Sequence, residues 1–182
     1  MRGCFWKWRK KGGWQVDGTE VSEHAANFAS QRLQQPIFCG ELRQADLAPG
    51  SFDVVTLWHV LEHTTQPLDT LTAARRLVKP DGRLVLAVPN VNDRIMQTVY
   101  RLIKGRKPRL FSLGDKEIHL YHFSADTLKM MIELAGFECL SIHPDFGIVE
   151  PSKKLINFLA ASIHRLTGAH CYNAIQVIAK PT

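Results

Sequence analysis

The sequence predicts an α/β layered fold built on a mainly parallel sheet with helices on both faces. Two observations carry that prediction. Short apolar runs alternate along the chain with amphipathic stretches of helical period, the pattern of a layered α/β domain. The segment Ser51–Asn90 reads strand, loop, helix, turn, strand, and its first strand, Phe52–Leu57, is a near-continuous apolar run with two adjacent valines. A run of that kind suits a strand buried on both faces, as in a parallel sheet.

Within this central unit the helix is predicted over Pro67–Val78, where Leu68, Leu71, Ala74, Leu77 and Val78 repeat at helical spacing. Pro80-Asp81-Gly82 is turn chemistry that should end the helix before a strand over Arg83–Val88. A strand, a crossover helix and a second parallel strand make a right-handed unit. Ligands of such sheets bind beyond the carboxyl ends of the strands. Those ends carry Trp58, His59, Glu62 and His63 after the first strand and Asn90 after the second.

Before this unit, Cys4–Gly12 has helical character, closed by Gly12-Gly13. Trp14–Thr19 reads as a strand ending in Glu20. Ser22 reads as the N-cap of a helix to Leu33, with Ala25, Phe28, Ala29 and Leu33 facing inward. Pro36–Cys39 is a further short strand, and Ala48-Pro49-Gly50 a loop. After the central unit, Val91–Lys104 is helical through Ile95, Val99 and Leu102, and Gly105–Gly114 is a basic loop. His119–Phe123 (HLYHF) precedes Ser124, an N-cap for a helix that Gly136 closes. Phe137–His143 is a strand, Lys153–Leu166 an apolar helix, and Ala174–Ala179 the last strand.

At 182 residues, 45% hydrophobic and 22% charged, the chain has the composition of one globular domain with a core. No run approaches the roughly 18 apolar residues of a transmembrane helix. No apolar signal core follows the basic N-terminus, so a cytoplasmic location is expected. Cys4, Cys39, Cys139 and Cys171 lie far apart and form no paired motif, as free thiols in a reducing compartment would. The net charge of +6 is uneven, because Arg2, Lys7, Arg9, Lys10 and Lys11 stand among the first twelve residues with no acid. Phe5, Trp6, Trp8 and Trp14 interleave with those cations. That mixture suits nucleic acid or an anionic membrane, but no second basic patch supports nucleic acid, which is not expected as a partner.

Four segments in collinear order, Trp14–Ser22 (WQVDGTEVS), Ser51–His63 (SFDVVTLWHVLEH), Leu77–Asn90 (LVKPDGRLVLAVPN) and His119–Phe137, resemble the class I S-adenosylmethionine-dependent methyltransferase superfamily. They are most similar to its ubiquinone-biosynthesis type of O-methyltransferase. The resemblance covers about Gly3–Ser141. It implies a Rossmann-like αβα sandwich with an antiparallel last strand, and S-adenosylmethionine as cofactor. It also implies a cofactor site drawn from Gly3, Glu20 with Val21, Glu41, Leu42, Trp58 and His59. Glu20 would bind the ribose hydroxyls, since a carboxylate at a strand end can accept from two vicinal hydroxyls. Glu41 and Leu42 would meet adenine, with Asp46 as a competing acid. Trp58 and His59 would face the methionine end, where an aromatic face suits the sulfonium charge. In ubiquinone-type relatives the position of His59 is often acidic and joins the following Glu-His in holding a metal. Here no metal is expected, and His63 is expected to be structural. His119 and His122 are the acceptor-side candidates, because a histidine of ordinary pKa can deprotonate a hydroxyl.

Two departures stand out. The family's first strand and Gly-rich turn, roughly D-x-G-x-G-x-G, are not in the sequence, and Gly3 matches only the last glycine. The expectation is a single domain over 1–182, incomplete at its N-terminus within that motif. A helical insertion at about 144–172 separates the last two strands, where the family has a short hairpin. Its apolar helix suits a lid, a homodimer contact or a peripheral membrane contact. Two functions follow. One is methyl transfer to a small or lipid-like acceptor, at oxygen. The other is a non-catalytic remnant that binds a partner through the helix 153–166.

Overall fold

The computed structural model describes residues 12–106, 118–145 and 154–182. They fall into two compact units, Met1–Ala48 and Pro49–Thr182. Of the helix expected over Cys4–Gly12, all but Gly12 lies outside the described residues, and Gly3 with it.

In the first unit, β1 (Thr19–Glu20) pairs in parallel with β2 (Phe38–Cys39), and α1 (Glu23–Leu33) joins them. Ser22 caps α1 as expected, its Oγ accepting the Ala25 N–H at 3.4 Å. The ladder is shorter than the Trp14–Thr19 run, because β2 supplies only two partners. Upstream, the Val16 carbonyl accepts the Gln35 side-chain amide instead of a strand N–H. The buried face of α1 also differs from the expected one. Ala26 and Leu33 are buried with Ile37, and Ala29 packs beside them, whereas Phe28 is exposed with the Arg32 guanidinium 5.6 Å from its ring centre. Ala26, Ala29 and Leu33 share one helical stripe. Phe28 stands roughly 200° around the helix from Ala26 and cannot join it.

In the second unit, β3 (Phe52–Trp58), β4 (Val78–Pro89), β5 (Phe137–Pro144) and β6 (Ala174–Pro181) form one sheet in the order β3-β4-β6-β5. β3 and β4 run parallel, joined by α2 (Pro67–Leu77), and β6 runs antiparallel to both β4 and β5. The carboxyl ends of β3, β4 and β5 therefore share one edge with the start of β6. Leu57, Leu84, Leu86, Val88, Ile175 and Val177 are buried across the sheet, with Leu71 and Leu77 of α2.

The Pro80-Asp81-Gly82 turn does not precede β4 but interrupts it. Val78 already pairs with Phe52, and the next pair is Arg83 with Val54. Lys79–Gly82 thus bulges out opposite Asp53, and the Lys79 Nζ meets Asp53 Oδ1 at 2.6 Å. The Lys79 ammonium holds the Asp53 carboxyl below its ordinary range. Gly82 sits tightly in the bulge, where a Cβ would come within 2.8 Å of the Asp53 carbonyl oxygen.

α3 (Arg94–Lys104) starts later than the Val91 expected. The Asn90 and Val91 N–H groups are used elsewhere, on the carbonyls of Asn173 and Phe123, and Asp93 caps the helix by accepting the Met96 N–H at 3.0 Å. α4 (Ala125–Leu134) opens on Ser124, whose Oγ accepts the Thr127 N–H while Thr127 Oγ1 accepts the Ser124 N–H. Gly136 follows with φ +83°, as a helix-closing glycine should. Arg75 of α2 donates to the carbonyls of Gly136 at 2.9 Å and Thr182 at 2.8 Å, tying helix to sheet. α5 (Lys154–Thr167) is the inserted helix and packs alongside α3.

Candidate functional site

The carboxyl edge of the four-stranded sheet gathers the chemistry-bearing side chains of the second unit. β3 ends at Trp58, and the chain turns sharply at His59, which takes φ +51°. A non-glycine residue in the left-handed region costs about 1–2 kcal/mol. The His59 N–H donates to the Ala87 carbonyl at 2.8 Å, which holds the turn against β4. Leu61–His63 then forms a single 3-10 turn.

Glu62 in that turn is 1% exposed. Its Oε1 lies 3.2 Å from His59 Nδ1 and 3.9 Å from His63 Nε2, while Oε2 has no hydrogen-bond partner among the described residues. His59 also faces Asp145, the residue just past β5, with Nε2 3.7 Å from Oδ2. The carboxylates of Asp145 and Glu62 on either side raise the His59 pKa to about 9, so the ring is an imidazolium at neutral pH. Sequence reasoning missed Asp145, which stands in what reads as a plain loop. Its signal was positional: it is the first residue after a strand whose carboxyl end shares the edge with β3.

The HLYHF segment is strapped across the 3-10 turn. The Glu62 carbonyl accepts N–H groups from Leu120 at 2.7 Å and Tyr121 at 3.2 Å. His63 Nδ1 pairs with the Ile118 carbonyl at 2.9 Å, and Tyr121 Oη donates to the Thr65 carbonyl at 3.1 Å. The bond to Ile118 ties the His63 ring to the start of the HLYHF segment. His119 stands edge-on to His63 with ring centres 5.0 Å apart, and His122 is 6.2 Å from His119. Glu62, His63 and His119 bring one carboxylate oxygen and two ring nitrogens within 4.8 Å of one another, a donor set that can hold a divalent cation.

Asn90 has a different part from the chemical one its strand-end position suggests. It is buried, and its Nδ2 donates to the carbonyls of His170 at 2.9 Å and Tyr172 at 2.8 Å, while Oδ1 accepts the Asn92 N–H at 3.0 Å. Its side chain pins the start of β6 to the end of β4.

In the first unit Glu20 ends β1, and its Oε1 accepts the Ser22 N–H at 3.2 Å while Oε2 takes no hydrogen bond from a described residue. The Gly40 N–H donates to the Glu20 carbonyl at 3.0 Å, which brings the turn after β2 beside the end of β1. Val21 is exposed. Glu41 meets Arg43 Nε at 2.6 Å, and Leu42 opens the short 3-10 turn Leu42–Gln44. Asp46 is exposed.

Comparison with known proteins assigns this architecture. A family model described as a methyltransferase domain matches residues 2–142. The chain belongs to that family, and with it to the class I S-adenosylmethionine-dependent methyltransferases. It is 26% identical over 164 residues to a ubiquinone biosynthesis O-methyltransferase of Methylococcus capsulatus, covering 83% of this chain and 68% of that protein. A second such protein, from Dechloromonas aromatica, is 35% identical over 88 residues, 45% of this chain and 38% of its own length. The crystal structure of a SAM-dependent methyltransferase from Archaeoglobus fulgidus superposes with a TM-score of 0.64 at 16% identity, over 98% of this chain and 81% of that one.

The cofactor of the family is S-adenosylmethionine. The donor chemistry here fits it. A strand-end carboxylate with one oxygen unoccupied by described groups suits vicinal hydroxyls.

Proposed function

We propose that this chain is the catalytic domain of an S-adenosylmethionine-dependent O-methyltransferase acting on a small or lipid-like acceptor. The observation that carries this reading is the family match over residues 2–142. The similarity to ubiquinone biosynthesis O-methyltransferases supports oxygen as the methylated atom and a lipid-like acceptor.

The roles divide by element. Glu20 holds the ribose hydroxyls, and Glu41 and Leu42 flank the adenine. Trp58 offers an aromatic face to the sulfonium. His59, held cationic between Asp145 and Glu62, flanks the methionine end of the cofactor. When bound, the cofactor supplies a methyl group already activated by the positive sulfur. The protein's task is therefore alignment and exclusion of water rather than strong chemical activation. His119 and His122 stand on the acceptor side, where either can take the hydroxyl proton. The strap of hydrogen bonds from Glu62, His63 and Thr65 fixes where those rings sit.

Calorimetric titration with S-adenosylhomocysteine tests the cofactor half of this reading. Micromolar affinity in the natural chain, lost on Glu20→Ala, is the expected result. Unchanged affinity in that variant removes the ribose assignment. Loss of turnover in His119→Ala or His122→Ala, with cofactor affinity kept, tests the acceptor half. Should both variants turn over normally, alignment alone accounts for catalysis and the base is dispensable.

A further inference from the structure

The inserted helix α5 ends against a cluster of rings that none of the roles above uses. His164 stands in its last turn, and Gly168, in the left-handed region at φ +72°, lets the chain leave the helix. His170 and Tyr172 lie between that glycine and β6. The ring centres of His164 and His170 are 4.9 Å apart, with planes 35° from parallel. His164 also stands edge-on to Tyr172 at 5.1 Å.

Each imidazole is held by its Nδ1. His164 Nδ1 meets the Ala169 carbonyl at 3.3 Å, and His170 Nδ1 meets Tyr172 Oη at 2.6 Å. The Nε2 atom of each ring makes no hydrogen bond with a described residue. Metal-ligating histidines share this arrangement: a second group fixes one ring nitrogen and leaves the other to bind. An imidazole nitrogen sits about 2.0–2.1 Å from zinc and about 1.2 Å from its own ring centre, so two rings sharing a tetrahedral ion have centres about 5 Å apart. The separation of 4.9 Å matches that geometry. Burial and the adjacent His164 ring lower the pKa of His170, against the opposing pull of Asp126 in α4. His170 is therefore neutral at neutral pH, the form that ligates. Asp126 supplies negative charge to offset a dication.

The two rings belong to different parts of the fold. His170 is on the fixed side, since Asn90 Nδ2 donates to its carbonyl at 2.9 Å and the neighbouring Tyr172 is buried. His164 is on a helix with little packing to hold it. Among the described side chains of α5, Ala160 alone is buried. An ion shared by the two rings would tie the end of α5 to the start of β6.

We propose that His164 and His170 bind a divalent transition-metal ion of the zinc and copper class through their Nε2 atoms, and that the ion staples α5 to β6. Imidazole nitrogens suit such ions, whereas magnesium and calcium take oxygen ligands. The inference stands on the geometry of the rings, so it is independent of the methyl-transfer reading.

Calorimetric titration of the full chain with zinc chloride tests it. The His119→Gln variant is the background, which breaks the Glu62, His63 and His119 donor set. Zinc should bind with micromolar affinity, copper(II) more tightly, and magnesium not detectably. His164→Gln and His170→Gln should each weaken zinc binding by at least about tenfold, because each removes one of two linked ligands. Both positions are partly exposed, so each variant should keep the circular dichroism of its background. Copper(II) electron paramagnetic resonance should show nitrogen splitting from both imidazoles, and either substitution should reduce it to one. Saturating zinc should slow hydrogen exchange in α5 by at least about tenfold. A folded His119→Gln chain that binds no zinc overturns the proposal. So does undiminished zinc affinity in either further variant. Should those variants unfold, a copper spectrum of the His119→Gln chain without nitrogen splitting overturns it independently.

Discussion

His59 shows how a single side chain records its surroundings. Its pKa stands at about 9 against an ordinary 6.5, held there by Asp145 and Glu62. The folded state therefore binds the proton more tightly than the unfolded chain. The stabilisation is fully present below about pH 6.5 and is lost as pH rises through about 9. Thermal melts between those values should show a falling melting temperature. His59→Gln, which cannot take up the proton, should flatten that slope and melt lower at neutral pH, with the gap closing above pH 9. Equal slopes in both proteins would mean that the ring carries no linked proton. Asn90 makes a second residue-scale prediction. Asn90→Leu would leave the His170 and Tyr172 carbonyls without their donor, at a cost of about 2–3 kcal/mol in denaturant unfolding. The strand-end position of Asn90 was legible in the sequence. Its part as a pin was not, because its partners stand eighty residues further along the chain.

The elements divide by how local their causes are. α2, α4 and α5 fall within a residue or two of their expected spans, since periodicity, the Ser124 cap and Gly136 act over a few residues. β1 and β4 do not, because a strand's length is set by its partner. β1 is cut short by a two-residue β2. β4 reaches back to Val78 because Phe52 is there to pair with it. The resulting bulge gives the element-scale prediction. Gly82→Ala would drive a methyl group against the Asp53 carbonyl and the Val78 side chain, costing about 1–3 kcal/mol. A midpoint of denaturation equal to that of the natural chain would show that the bulge relaxes freely.

At the scale of the whole molecule the testable quantity is linkage between ligand and fold. S-adenosylhomocysteine at a hundred times its Kd should stabilise the native state by about 2.7 kcal/mol. For a chain of this size that raises the melting temperature by about 5–10 °C. No shift at that concentration would mean that the ligand does not select the native state, and would count against the cofactor assignment.

By itself the sequence determined the α/β class, the order of most elements, the methyltransferase family and the strand-end stretch that carries Trp58, His59, Glu62 and His63. These depend on hydrophobic period, caps and turn residues, all of which act over a few neighbours and can be read along the chain. Only the tertiary structure decided that Asp145 and Glu62 hold His59 cationic, that His63 anchors the HLYHF segment, and that Asn90 is a structural pin. It also decided that Leu102 and Ile103 of α3 and Phe158 and Leu166 of α5 stay exposed. Each of these depends on strand order and packing, which bring together residues up to about ninety positions apart. Periodicity predicts that a helix has an apolar face; the rest of the fold determines whether anything covers it.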